Sequence, residues 1–297
     1  QFQQQRVAMA QSRATLNTAQ VRRETAFAFL ELQAARERQR VMMVLDSSFQ
    51  HFANYAQRKV DVGESPLLEA LSARAQWERI RLDRQQADAD VAMAEGLLAQ
   101  WLGTASIGAL APMTALVVPV LDSALVASNP ELRALQQNVE MSKSALDLQR
   151  SQWTPSLKFG GFAQSLDHVT PRSGILLGVS IPLIKTGQAA NTKAAMLDAR
   201  IAEDERLAAE RAMRAQLLAA TQDYLQRQRE YAFYADEGAV LADAIVNNAA
   251  GGYEEGELGY LEYMQTVGQA NDLRVKRIAS LLALDRSVIQ LDYLTGR

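Results

Sequence analysis

Val60-Asp61-Val62-Gly63-Glu64-Ser65-Pro66-Leu67-Leu68-Glu69 is the stretch on which the fold turns. Gly63 can take the left-handed position that closes a helix, Ser65 can cap the next one, and Pro66 suits its first turn. From about Gln4 to Leu102, Pro66 is the only proline, and Gly63 and Gly96 are the only glycines. So few breakers predict two long helices either side of one short turn, which forces them antiparallel as an αα-hairpin. On the first helix, Phe27, Leu30, Ala34, Val41 and Val44 recur at helical spacing. So do Phe29, Leu32, Met42, Leu45, Phe49 and Phe52. Two apolar faces on one helix call for neighbours on two sides. Leu67, Leu71 and Ala75 restart the stripe after the turn, and Val91, Ala94, Leu98 and Trp101 end it.

The same turn occurs again. Gly63-Glu64 is echoed by Gly256-Glu257, Leu68-Glu69 by Leu261-Glu262, and Trp101-Leu102-Gly103 by Leu294-Thr295-Gly296, each 193 residues on. One register shared by a turn and a terminus is the mark of an internal repeat and of a pseudo-symmetric architecture.

Between the copies the chain changes character. Gly103, Gly108, Pro112 and Pro119 punctuate an irregular connector over 104–128. Ser128 or Asn129 then caps a helix with Pro130 at its start, covering 129–153. Residues 154–186 read as a β-hairpin. Ser156–Gln164 forms its first strand, a turn holding His168 and Pro171 follows, and Ile175–Leu183 forms the second. Leu157, Phe159, Ile175, Leu177, Val179 and Ile181 alternate with small or polar residues. A lone hairpin is marginal in water, so it must join something larger. Residues 187–297 are the second helical hairpin. Its first helix is read as unbroken from about Gln188 to Ala250, with a break over Gly251–Glu257. The first hairpin covers 1–103, and its counterparts of helix 129–153 and of the β-hairpin would precede residue 1. A chain beginning at Gln1 is therefore expected to be truncated at its N-terminus and not to conduct as a pore by itself.

Composition narrows the function classes. The 297 residues carry 31 Lys+Arg against 34 Asp+Glu, a net charge of −3, which offers no basic stripe for nucleic acid. There is no cysteine, so disulfides, thiolate metal sites and cysteine nucleophiles are excluded. No phosphate loop, nucleophile elbow or zinc pattern occurs. No run of about 18 apolar residues exists, so a membrane role could come only through strands. His51 and His168 are far apart in the repeat, and the methionines are scattered as core filling rather than as a metal relay. The expectation is a non-enzyme with no cofactor and no metal site.

In order and spacing the chain resembles the TolC-like outer-membrane factors of tripartite efflux and secretion systems. The resemblance rests on Asn129-Pro130-Glu131-Leu132, Trp153-Thr154-Pro155-Ser156-Leu157, Gly178-Val179-Ser180-Ile181-Pro182-Leu183 with Gly187, Tyr253-x-x-Gly256-Glu257, and Leu291-Asp292-Tyr293-Leu294-Thr295-Gly296. The ending and the proline-bearing strand look most like the heavy-metal branch (copper/silver, cobalt–zinc–cadmium). The resemblance implies a mainly α fold: long antiparallel helical hairpins in two pseudo-repeats, a coiled-coil-like α-barrel protomer, with one β-hairpin belonging to an outer-membrane β-barrel. It implies a homotrimer in the outer membrane of a Gram-negative bacterium, with a periplasmic helical tunnel. Its partners would be a periplasmic adaptor, an inner-membrane pump of the RND type and outer-membrane lipid. Heavy-metal cations are the implied cargo. A drug-efflux or type I secretion channel of the same fold is the first alternative. A periplasmic coiled-coil adaptor or scaffold is the second, disfavoured by two repeated hairpins and only one short β segment.

The resemblance also assigns residues. Glu69 and Glu262, each six after a turn glycine, would belong to the periplasmic aperture, with Tyr253 as a latch partner of Glu69. Gly63, Glu64, Glu255, Gly256 and Glu257 would form the hairpin tips that meet the adaptor. The departure is Leu258, where relatives with a charged latch carry an arginine.

Overall fold

The computed structural model describes residues 2–118, 123–164, 172–180 and 186–296. The elements are α1 (Phe2–Asp61), α2 (Leu67–Leu102), a 3₁₀ turn (Ser123–Ser128), α3 (Pro130–Ser151), β1 (Ser156–Gln164), β2 (Arg172–Ser180), α4 (Thr186–Ala235), α5 (Glu237–Glu254) and α6 (Tyr260–Thr295). The expected strand continuation Ile181-Pro182-Leu183 and the turn with His168 and Pro171 lie outside the described residues. The chain divides into two compact units. One holds α1 up to Thr18, Ala124–Ala215 and Gly296; the other holds Ala19–Ser123 and Gln216–Thr295.

In the first unit Asn129 caps α3: its wholly buried side chain accepts the Glu131 N–H at 2.8 Å. Gly296, at φ +73°, closes against this cap so tightly that a Cβ there would lie 2.7 Å from the Ser128 carbonyl oxygen. Trp153 Nε1 donates to Thr192 Oγ1 at 3.0 Å, tying the end of α3 to the start of α4. The two strands pair antiparallel, with Leu157 opposite Val179, Phe159 opposite Leu177 and Gly161 opposite Ile175. All the large side chains of this face are exposed, Leu157 at 83% and Phe159 at 79%.

In the second unit α1 and α2 run antiparallel. Trp77 Nε1 and Arg84 both donate to Asp46 at 2.9 Å, Gln39 donates to Asp88 at 2.8 Å, and Arg36 to Glu95 at 2.6 Å. Near the turn the core is Ala53, Ala56 and Ala73, small enough to let the two backbones close up. Farther along, Leu45 and Phe49 of α1 share a core with Ala249 of α5 and with Met264 and Val267 of α6. The connector after α2 is strapped down by side chains. Gln33 donates to the Ala111 carbonyl and Arg36 to that of Gly108, both at 2.8 Å. The Leu116 N–H donates to buried Asp285 at 2.8 Å. Ile107 and Leu110 pack on Leu32, Ala35, Val91, Ala94 and Leu98.

Three sequence readings need correction. The helix expected unbroken from about Gln188 to Ala250 is broken at Asp236, and its second piece runs past Gly251 to Glu254. Gly238 suits the break: a Cβ there would lie 3.3 Å from the Phe233 carbonyl oxygen, closer than a side chain comfortably allows. Ser65 does not cap α2. Pro66 takes the cap position in an extended conformation, which leaves Ser65 one residue before the cap, and the Ser65 hydroxyl donates to the Glu69 carboxylate. Part of the expected apolar stripe faces outward: Val44, Leu67 and Leu71 are exposed, uncovered by any of the described residues.

Candidate functional site: the paired turns

Both interhelical turns are built alike. In the first, the Glu64 N–H donates to the Lys59 carbonyl at 2.8 Å and the Gly63 N–H to that of Val60 at 3.0 Å. In the second, the Glu257 N–H donates to Gly252 at 2.8 Å and the Gly256 N–H to Tyr253 at 3.2 Å. Gly63 and Gly256 each sit at φ +78°. This is the Schellman closure, which satisfies the last carbonyls of α1 and α5 and requires a left-handed residue. The 193-residue repeat is thus a repeat of backbone geometry.

The turns lie at the same end of the second unit, joined by a hydrogen bond from Tyr253 Oη to Glu69 Oε1 at 3.0 Å. The other Glu69 oxygen takes the Ser65 hydroxyl. Tyr253 is buried, wedged 5.1 Å from the ring centroids of both Phe52 and Tyr263, with Tyr55 edge-on at 6.2 Å. Phe52 also stacks on Tyr260 at 5.4 Å. Burial first, and then the bond to the Glu69 carboxylate, hold the Tyr253 phenol well above its ordinary range, so it stays a neutral donor. Tyr260, pushed up to about 12 by burial and then by the Glu69 charge, is also neutral. A cavity of about 420 Å³ lined by Ser48, His51, Phe52, Tyr55, Ala250, Tyr253 and Tyr263 opens beside the cluster.

The remaining sequence-derived site residues are placed differently. Glu262 is exposed and not engaged with Tyr253; its carboxylate reaches back to accept the Gly259 N–H at 3.2 Å, capping α6. Glu64, Glu255 and Glu257 project from the turns into solvent. Leu258, at the position of the missing arginine, packs into the core and fills the space left by Gly252, whose Cβ would lie 3.1 Å from it. The sequence reading missed Phe52, Tyr55, Tyr260 and Tyr263 as a cluster. The available signal was the placement of Tyr253, Tyr260 and Tyr263 on both sides of one turn, which folds them together. Among the described residues, no group of three or more acidic or histidine side chains could hold a metal ion. No helix among them is long and apolar enough to cross a membrane.

These elements, long paired helices with an exposed apolar β-hairpin, are those of a known class of channel protein. The structure superposes on CusC, whose crystal structures concern folding and transmembrane channel formation, with TM-score 0.86 and 15% identity over 99% of this chain and 72% of that one. For the outer-membrane channel OprN the values are 0.85 and 16%, over 97% and 68%. For the outer membrane protein VceC of Vibrio cholerae they are 0.80 and 15%, over 99% and 74%. No family model matches the sequence, and no curated protein matches it significantly. The chain has the fold of these outer-membrane channels.

Proposed function

We propose that the protein is a passive outer-membrane channel subunit that forms the exit duct of an efflux system. Three copies would close one β-barrel and one periplasmic helical tunnel. The observation that carries this reading is the β-hairpin face of Leu157, Phe159, Ile175, Leu177 and Val179. Among the described residues nothing covers it, and it alternates with a mixed face of Lys158, Gly160, Phe162, Leu176 and Gly178. A barrel in lipid demands this alternation, and only closure removes the unpaired edges of two strands. The exposed Val44, Leu67 and Leu71 are then covered by neighbouring copies in a homotrimer.

In this reading the joined turns are the periplasmic end. The hydrogen bond between Tyr253 and Glu69 latches the two hairpins, and Gly63, Glu64, Glu255, Gly256 and Glu257 meet a periplasmic adaptor that couples to an RND-type inner-membrane pump. Threefold copies of Glu69 and Glu262 would ring the opening with like charge, which favours cations and fits a heavy-metal cargo. Reconstitution of the full-length protein in planar lipid tests the reading. Expected are cross-linkable trimers and discrete conductance steps. A monomer that remains in the aqueous phase would overturn it.

A further inference from the structure

Lys59 is the last-turn residue of α1 whose carbonyl accepts the Glu64 N–H at 2.8 Å, so its backbone is fixed by the Gly63 closure. Its ammonium lies 5.3 Å from the centroid of Tyr55 and 5.4 Å from that of Tyr253. Among the described residues no carboxylate is within ion-pairing distance of it. The charge is therefore spent on two ring faces, one of which carries the hydroxyl that bonds Glu69. The repeat supplies no second such cation, because its equivalent position, 193 residues on, is Gly252.

We propose that Lys59 is the cation of the bond between the turns: a positioning residue that pins the Tyr253 ring and strengthens its hydroxyl as a donor to Glu69. The proposal rests on the latch reading for its bearing on the channel. A cation held over a phenol draws electron density from the ring, which makes the O–H more acidic and its bond to a carboxylate stronger. Lys59 thus acts on the bond from α1 through a ring, not by contact with the carboxylate. The turn that offers Glu69 and the helix that offers Lys59 belong to one hairpin, and Tyr253 of the other is held between them.

Hydrogen exchange of the backbone amides over 249–254 in the full-length protein, read together with its conductance in planar lipid, tests this. Lys59→Gln should speed tip exchange by about 2–5-fold, most of it through the weakened Tyr253–Glu69 bond. Lys59→Arg should restore wild-type exchange. In a Tyr253→Phe background the ring remains but the hydroxyl is gone, so Lys59→Gln should have less than half its effect. Unchanged exchange in Lys59→Gln overturns the proposal. So does an equal effect in both backgrounds, which would leave Lys59 as ordinary packing. If Tyr253→Phe loosens the tip and couples to Lys59 while conductance stays the same, the role of Lys59 at the hydrogen bond stands and the latch reading falls.

Discussion

Asp285 lies on α6 at a position that apolar periodicity assigns to the core, between Leu281, Leu284 and Val288, and it is buried there. Burial pushes its carboxyl up to about 6, partly offset by the Leu116 N–H that it accepts. Because the folded value is above the ordinary one, the folded state holds the extra proton between roughly pH 4 and 6. The stability it contributes is complete below that window and is lost as pH rises through it, opposite to the usual behaviour of a paired carboxylate. Asp285→Asn retains an oxygen for the Leu116 N–H and removes the charge. It should leave the urea midpoint unchanged at pH 4 and raise stability by on the order of 1 kcal/mol at pH 8. Tyr253→Phe is the companion test at the turns. It removes the hydroxyl from a half-buried Glu69 that keeps Ser65 as a donor, so the loss should be about 1 kcal/mol in unfolding. Under the proposed function it should also raise open probability in the reconstituted channel; an unchanged open probability would reject the latch.

At the scale of elements, glycine geometry gives graded outcomes. Gly63 and Gly256 share φ +78°, and a Cβ at either would meet nothing within 4 Å. Alanine there should cost only the left-handed strain, about 1 kcal/mol, and nearly the same at both sites. Gly296→Ala should cost clearly more in the same urea titration, because its Cβ would press on the Ser128 backbone at 2.7 Å. The long helices, both turns, the Asn129 cap and the β-hairpin were legible in the sequence. Each is signalled locally, by scarce breakers, by a turn glycine or by alternation, and the repeat printed the turn signal twice. The break at Asp236 was not legible, since a lone Gly238 in a helical pattern is usually tolerated and its close approach to the Phe233 carbonyl shows only in the folded chain. Nor were the straps from Gln33, Arg36 and Asp285 to the connector. These bonds join residues 72 or more positions apart through backbone groups, which carry no sequence signal. The pairing of Tyr253 with Glu69 came from the family resemblance, with the repeat supplying only the register of the two turns. The aromatic packing around it did not, because Phe52 reads as one more apolar residue of a stripe.

At the scale of the whole molecule, the exposed apolar face of the β-hairpin determines what the protein must join. Leu176 and Leu177 are neighbours on β2 that point to opposite faces, Leu177 with Phe159 on the continuous apolar side and Leu176 with Gly160 on the mixed side. Both are exposed in the chain, so in water a lysine at either should change stability little. A lipid-facing lysine near mid-membrane costs about 2–4 kcal/mol, whereas lumen-facing substitutions tune selectivity instead. The proposed barrel therefore separates two substitutions that an aqueous hairpin would treat alike. Leu177→Lys should cut the membrane-inserted, protease-protected fraction of the full-length protein in liposomes to a small remainder. Leu176→Lys should insert nearly as wild type and shift ion selectivity toward anions. Equal insertion of the two variants would mean that the Leu157–Phe159–Leu177 face does not meet lipid, and the barrel would have to be abandoned with it. A reversed result, with Leu176→Lys the defective one, would keep a barrel but turn the hairpin inside out.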